Sequence, residues 1–383
     1  MRIAILGAGA MGGAAARLLA RHDDVELLVI DADAERASAA AAAVGRAEAR
    51  GFDAAAGGDA LAAALAGADA VAACLPYRLN LDAMEAAMAA RVPYADLGGL
   101  FHMTRRQLEL DGRFRQAGLA AVIGIGCCPG LSNVMARLAA DRLDEVRSID
   151  ILDGSIDQGE TGFIVPYSAD TILDEYLLPA YVFEDGELRE VPAGSGQIEY
   201  EFPAPLGVMP AFHTLHSELA TLPGTIPGVR DVQWRLALPP PIHDGFRLLA
   251  GLGLGDSEPV QTPSGPVRPR EVLLALLARI PAPDGPPRDL EVLDVRAEGT
   301  LAGRPASYLA RATFTPQPEG IGAGPFGTAL PIAVAARWLA GERVAAGVHP
   351  PETALDPEPF LREVAAEGVG LTVSIEEDLG SPG

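Results

Sequence analysis

The strongest constraint on the fold lies at the start of the chain. An apolar run, Arg2-Ile-Ala-Ile-Leu6, leads straight into Gly7-Ala8-Gly9-Ala10-Met11-Gly12, a turn spaced G-x-G-x-x-G. Each glycine has its own mechanical role. Gly7 allows the tight bend, Gly9 lets a pyrophosphate approach bare backbone, and Gly12 lets helix and strand pack closely. The free N–H groups at the helix start, around Ala10 and Met11, then face the phosphates. Glycine-rich turns are common and this chain has 43 glycines, so the flanking pattern decides. A helix over residues 11–21 is followed by a β-rich run at 25–30, and Asp31 closes that run 19 residues past Gly12, where about 20 is expected. Its carboxylate can accept both hydrogen bonds of an adenosine ribose and would repel a 2′-phosphate. The next Arg is Arg36, so NAD rather than NADP is the expected cofactor. The plain alternative is a βαβ unit with no nucleotide. A secretory signal is a poor reading, because Gly7, Gly9, Gly12 and Gly13 interrupt the apolar stretch.

Beyond Asp31 helices are predicted over 34–44, 59–65, 79–90, 103–117 and 130–143, with strands at 48–52, 69–74, 92–96 and 120–126. This alternation predicts an α/β fold, a Rossmann-type doubly wound parallel sheet with ligands at the carboxyl ends of its strands. Those ends carry Gly7 to Gly12, Asp31, Cys74-Leu75-Pro76-Tyr77, Asp96-Leu97-Gly98-Gly99 and the segment 126–130. The expected cofactor-binding residues are Gly7, Gly9, Ala10, Met11, Gly12, Asp31, Arg36, Leu75, Pro76, Asn80 and Gly98.

After residue 143 the pattern changes. Strands lengthen, Pro and Gly become frequent, and hairpin turns are predicted at 184–187 and 298–303, with helices at 169–177 and 270–277. Pro239-Pro240-Pro241 and the prolines of 281–287 read as loop punctuation. An apolar helix over 327–339 then needs a large partner surface, and 360–367 reads as a last surface helix. The expected organisation is an NAD-binding domain from 1–127 plus 322–383, interrupted by an inserted α+β substrate and dimerisation domain over 128–321.

Charge and composition exclude several functions. The formal net charge is −23, which makes nucleic acid and anionic membrane poor partners. No apolar run approaches the ~18 residues of a membrane span, and three cysteines make no disulfide framework, so a soluble cytoplasmic protein is expected. The sequence contains no lysine. Lysine Schiff-base, P-loop and lysine-base chemistry are therefore impossible, and proton transfer falls to His, Asp, Glu, Tyr or Cys.

At Tyr94-Ala-Asp-Leu-Gly-Gly99, Ile125-Gly-Cys-Cys-Pro-Gly-Leu-Ser-Asn133 and Gly347-Val-His-Pro-Pro-Glu352 the chain resembles the saccharopine dehydrogenase-like family. Its lysine 6-dehydrogenase branch looks closest, and the likeness extends to His102-Met-Thr104, Leu143-Asp-Glu-Val146, Ala211-Phe-His-Thr214 and Pro269-Arg-Glu-Val-Leu273. The resemblance implies NAD-linked hydride transfer at an amino-acid C–N bond, amine to imine or semialdehyde, by a homodimer. The alternative within the family is reductive condensation of the saccharopine or carboxynorspermidine type. Outside enzymology, the alternative is a catalytically idle NAD-binding sensor. Relatives usually carry an Arg-Tyr-x-Gly-His segment whose Arg is thought to meet a substrate carboxylate. Here it reads Pro239-Pro-Pro-Ile-His243, and Cys128 stands where saccharopine reductases tend to have Asp.

Oxidising a C–N bond requires a nicotinamide against the reacting carbon, a proton acceptor for the nitrogen and a pocket for the substrate tail. His213 is the first expected base, because an unperturbed imidazole titrates near ~6.5. Asp96, at a strand end, can act as base or orient an ammonium, or else cap the turn beside Gly98. Tyr77 is placed to flank the nicotinamide, or is a core aromatic. Cys128 can face the nicotinamide, although small buried thiols are usually inert. His213 and His216 are spaced i, i+3, but no third ligand follows at metal-site spacing, so no metal is expected.

Overall fold

The computed structural model describes residues 1–159, 162–280 and 285–377. Its first sheet is built from β1 (Arg2–Leu6), β2 (Glu26–Asp31), β3 (Ala47–Gly51), β4 (Ala70–Ala73), β5 (Tyr94–Asp96) and β6 (Ala120–Val122). The expected strands all form within a residue or two of their predicted bounds, except that the run over 120–126 is a strand only over Ala120–Val122. The predicted helices over 34–44 and 169–177 form as Ala34–Val44 and Ala169–Leu177. The predicted helix over 103–117 is two helices, Leu100–Leu108 and Asp111–Ala117. At the start of the second helix the Asp111 carboxylate accepts from the Val348 backbone N–H at 3.0 Å and from Arg115.

The second sheet contains β7 (Glu145–Asp157), β8 (Ala180–Glu184), β9 (Glu187–Val191), β10 (Ile198–Glu201), β11 (Val208–Phe212) and β12 (Asp231–Ala237). A small hairpin, β13 (Val260–Thr262) with β14 (Gly265–Val267), stands apart, and β15 (Asp289–Leu301) and β16 (Arg304–Phe314) complete the long central strands. The hairpin predicted at 184–187 is present between β8 and β9. The one predicted at 298–303 turns only at Ala302-Gly303, because β15 and β16 stay paired to Leu301 and Arg304. Pro240 and Pro241 are not loop residues. They open the helix Pro240–Gly251, where a missing N–H costs nothing. Of the prolines over 281–287, residues 281–284 lie outside the described residues.

The chain then returns to the first sheet through β17 (Gly347–His349), which pairs parallel with β6. The parallel order is β17-β6-β5-β4-β1-β2-β3, and the direction of winding reverses between β1 and β4, the place where dinucleotides bind in such sheets. The expected boundary at 322–383 needs correction at its far end. β18 (Gly370–Glu377) leaves again and pairs antiparallel with β16 along the second sheet, so the two units are laced together twice. The apolar helix expected at 327–339 spans Ala323–Ala340 and is buried nearly all round. It packs against the helix Ala10–Leu19 and β4 on one side and against β15 and β16 on the other, which is why it has no polar face. The final helix, Pro357–Ala366, buries Phe360, Leu361 and Val364, and so is only half a surface helix. None of the described helices is long and apolar enough to cross a membrane.

Candidate active site

The glycine turn passes a direct test of fit for a dinucleotide. A Cβ on Gly12 would lie 1.8 Å from the Gly7 carbonyl oxygen, and one on Gly7 would lie 2.5 Å from that of Cys74. The protein's own backbone forbids both side chains. A Cβ on Gly9 would meet nothing within 4 Å. Internal packing does not explain Gly9, and a pyrophosphate at the start of the helix Ala10–Leu19 does. Gly9 and Ala10 are exposed there and Met11 half-buried. Leu75 borders Gly7, with Pro76 exposed beside it. At the adenosine end Asp31 ends β2, accepting from the N–H groups of Ala8 at 2.6 Å and Asp33 at 2.8 Å. Arg36 stands 3.7 Å from it. Each carboxylate oxygen keeps a further lone pair for a ribose hydroxyl.

The opposite half of the sheet, over β4, β5 and β6, is where the nicotinamide end falls. Asp96 does not face it. The carboxyl is fully buried, and it accepts from the N–H groups of Gly98 at 2.9 Å and Gly124 at 2.8 Å and from the Gln107 amide. Burial raises its pKa and these three donors oppose the shift. Asp96 therefore ties the ends of β5 and β6 together, the turn-capping role. Asn80 and Gly98 act in the same tie: the Asn80 amide donates to the Gly98 carbonyl, and Gly98 lacks a side chain because Pro129 lies against it.

Tyr77 does not sit free beside a nicotinamide. Its hydroxyl donates to Asp174 at 2.6 Å, and Arg78 reaches the same carboxylate at 2.7 Å. This links the loop after β4 to the helix Ala169–Leu177 of the second unit. Burial and the Asp174 hydrogen bond raise the phenol's pKa, so it is a poor base. Burial likewise holds the Cys128 thiol protonated.

His213 is a correction. The register of β11 on β12 pairs Ala211 with Ala237 and Phe212 with Leu236, so His213 projects with Arg235 and Asp150 on the outer face of the second sheet. Its Nδ1 lies 3.0 Å from the Trp234 carbonyl, and Gly196 covers its ring. Cys128 and Asp153 belong to the inner face. Burial lowers the pKa of His213, and nothing in its position brings it to the nicotinamide. His243, surviving from the Arg-Tyr-x-Gly-His segment, is also a packed residue. Its ring lies 3.7 Å from that of Phe212, centroid to centroid, and its Nδ1 is 2.9 Å from the Tyr176 hydroxyl. Its pKa is pushed down to about 4, chiefly by burial.

The inner face instead assembles His216. Its Nδ1 donates to Glu218 at 2.5 Å, and its ring stacks on Trp234 with centroids 3.8 Å apart. The other Glu218 oxygen accepts the Ser132 hydroxyl at 2.7 Å. Next along the helix, Asn133 donates to Glu352 at 2.9 Å, so segments far apart in sequence converge here. Around His216 lie Asp153, Glu175 and Glu218, whose charges act directly on the imidazole. Burial depresses the His216 pKa, but these carboxylates outweigh it and leave the imidazole above its ordinary value. Burial pushes Glu175 up to about 7 and raises Asp153 and Glu291. The charged groups acting most strongly on Asp153, Glu175 and Glu291 are other carboxylates and His216. No guanidinium is among them. The side chains below Cys128 thus form an acid-rich cluster with one imidazole, in which Cys128 and Asp153 are only partly buried, suited to a positively charged nitrogen and to moving a proton at it.

Sequence reasoning missed Asp153 and Glu291. The signal was strand alternation: Ile149, Ile151 and Asp153 share one face of β7, and Glu291, Leu293 and Val295 share one face of β15. A carboxylate in the inward register of an otherwise apolar face marks a site rather than a core.

A glycine turn fitted to a dinucleotide, facing an acid-rich cluster at the switch point of a parallel sheet, defines a nicotinamide-dinucleotide-dependent oxidoreductase. The family description "Saccharopine dehydrogenase NADP binding domain" matches residues 3–122, and "Saccharopine dehydrogenase C-terminal domain" matches residues 126–369. The chain belongs to the saccharopine dehydrogenase family. It is 27% identical over 329 residues to the carboxynorspermidine synthase of Vibrio cholerae, covering 80% of this chain and 77% of that one. To the carboxyaminopropylagmatine dehydrogenase of Synechocystis it is 24% identical over 210 residues, covering 53% and 52%. In fold it matches apo saccharopine dehydrogenase (L-Glu forming) of Saccharomyces cerevisiae at a TM-score of 0.76 and 16% identity, covering 98% of this chain and 99% of that one. The homospermidine synthase of Legionella pneumophila in complex with NAD matches at 0.66 and 14% identity, covering 100% and 93%.

Proposed function

We propose that the protein reductively joins the primary amine of a di- or polyamine to an aldehyde, using NADH, and runs the reverse oxidation of the secondary amine. The observation that carries this reading is the cluster of Asp153, Glu175 and Glu218 around His216, with Glu291 next to Asp153, whose charges suit a substrate with more than one cationic nitrogen. The names of the Vibrio and Synechocystis relatives, both built on polyamine chemistry, point the same way. The Arg missing from Pro239-Pro-Pro-Ile-His243 bears on lysine and on a carboxylated condensation product alike, so it is the relatives' names that favour condensation over lysine 6-dehydrogenase.

Bound NADH supplies hydride to the substrate carbon. The chain's own residues do the rest. Asp153 and Glu175 draw the amine in as its cation and take up the proton that frees its lone pair for attack on the aldehyde carbonyl. Loss of water from the adduct, leaving the C=N bond, needs a proton on the departing oxygen, and His216, its pKa raised by Glu218, donates it at Nε2. Once hydride has arrived at carbon the neutral secondary amine takes back the proton held by Asp153 or Glu175 and is cationic again, and the proton given by His216 is replaced from solvent. In the reverse direction neutral His216 accepts the proton of the water that adds to the C=N bond, and Asp153 or Glu175 takes the proton that leaves nitrogen. Glu218 fixes the imidazole tautomer, and Trp234 fixes its plane. At the adenosine end we place the ribose on Asp31, with NAD preferred over NADP.

The test is a panel assay of NADH consumption. A short α,ω-diamine plus an aldehyde should turn over at least tenfold faster than lysine plus the same aldehyde. NAD reduction by lysine alone, faster than any condensation, would overturn the reading in favour of lysine 6-dehydrogenase.

A further inference from the structure

The proton and charge steps make no use of two thiols in the same cluster. Cys127 and Cys128 are both free, and their Sγ atoms lie 3.9 Å apart. Two sulfurs bound to one tetrahedral ion at about 2.3 Å each stand about 3.8 Å apart, so the pair is already spaced as one edge of such a site. A carboxylate oxygen of Asp153 and the two sulfurs all lie within 4.8 Å of one another. Oδ1 of Asp153 is enclosed and has no hydrogen-bond partner among the described residues. Glu291 follows from the sheet register. Leu293 stands opposite Asp153, so Glu291 is its diagonal neighbour on the same face, and it is only 8% exposed, with its carboxylate against the Cys127 thiol.

We infer that Cys127, Cys128 and Asp153 form a three-ligand binding site for one thiophilic divalent cation of the zinc class, with Glu291 beside Cys127. Two sulfurs and one carboxylate, with a fourth position left for water, suit zinc or cobalt, whereas calcium and magnesium require more oxygens than the site offers. An ion also neutralises carboxylates that burial otherwise makes costly. On binding, both thiols lose their protons, as does whatever fraction of the Asp153 carboxyl carries one, so one ion enters and at least two protons leave while nothing is oxidised. The ion occupies the cluster assigned above to the cationic amine, and the two exclude one another. The site goes beyond the proposed reaction and stands whichever amine is turned over, because it is read without turnover.

The experiment is a titration of the full-length protein, with its thiols kept reduced by a phosphine, using cobalt(II) and then zinc(II). One equivalent of cobalt should produce the near-ultraviolet thiolate-to-cobalt charge-transfer band and the visible bands of a tetrahedral ion, and one equivalent of zinc should abolish them. Cys128→Ser should remove about half of the charge-transfer intensity, and Asp153→Asn should weaken cobalt binding by at least tenfold while the protein stays folded by circular dichroism. Cys74→Ser should leave the spectrum unchanged. Absence of a charge-transfer band at stoichiometric cobalt overturns the site. A band that survives in Cys128→Ser and Asp153→Asn but is lost in Cys74→Ser overturns it as well.

Discussion

Nδ1 of His216 lies 2.5 Å from Oε2 of Glu218, and the other oxygen of that carboxylate is held by Ser132 at 2.7 Å. The pair fixes the imidazole with Nε2 as its free nitrogen, on the inner face of the second sheet, where the acid-rich cluster meets the strand ends of the first. Asp153 and Glu175 complete the field that raises the pKa of this ring.

The reassignment from His213 to His216 is the sharpest consequence. His216→Asn should lower turnover by about 10²–10⁴-fold, with NADH affinity nearly unchanged. His213→Asn, on the outer face, should leave turnover within about threefold and lower thermal stability modestly, since it loses one buried hydrogen bond worth about 0.5–1.5 kcal/mol. Steady-state kinetics of the two variants, with calorimetric melting, makes the comparison.

The pH profile follows from the sign of the His216 shift. Its pKa lies above the ordinary imidazole value, and the reductive direction needs the proton present. Reductive turnover should therefore decline as pH rises through this raised pKa, and also fall on the acid side as Glu175, pushed up to about 7, becomes protonated and can no longer take the amine's proton. Oxidative turnover should rise over the same interval. In Glu218→Gln the imidazole loses its nearest carboxylate, and the inflection should move to lower pH in both directions.

Glu175, pushed up to about 7 by burial, is partly protonated at neutral pH. A cationic amine bound beside it favours the carboxylate, so binding at pH 7 should release protons. Titration calorimetry in two buffers of different ionisation enthalpy measures this directly. A buffer-dependent binding enthalpy is expected for a diamine, and a smaller dependence for Glu175→Gln.

At the glycine turn two substitutions of the same kind should part company. Gly9→Ala should change stability by less than about 0.5 kcal/mol and weaken dinucleotide binding, because only the ligand needs that space. Gly12→Ala forces an overlap with the Gly7 carbonyl and should cost about 1–3 kcal/mol of stability or more. Asp31→Ser should narrow the preference for NAD over NADP. Melting curves and dinucleotide titrations read all three.

How much of the molecule is legible in its sequence varies with the range of the interaction. The glycine turn, Asp31 and the helix Ala34–Val44 rest on local spacing and propensity, and they fold as read. The helix Ala323–Ala340 reads as apolar, but the second surface covering it comes from β15 and β16 and is not a local property. His213 and His216 look alike in sequence. Only the pairing of β11 with β12 puts His213 on the outer face, while His216 follows beyond the end of β11 and folds onto Trp234. Asp96 reads as catalytic because it ends a strand, yet its donors come from Gln107 and Gly124, contacts that no spacing rule supplies. The far C-terminal strand joins the second sheet rather than the first for the same reason, since its partner β16 is distant in the chain.

The proposed reductive condensation is tested most directly by the transfer of label from NADH carrying deuterium at nicotinamide C4. The protein is incubated with a short diamine and an aldehyde, and the product is weighed by mass spectrometry. A secondary amine one mass unit heavier than the unlabelled product is expected when deuterium occupies the transferred face of C4, formed only when diamine and aldehyde are both present and lost in His216→Asn. Deuterium appearing in an alcohol derived from the aldehyde, with no secondary amine formed, would contradict it.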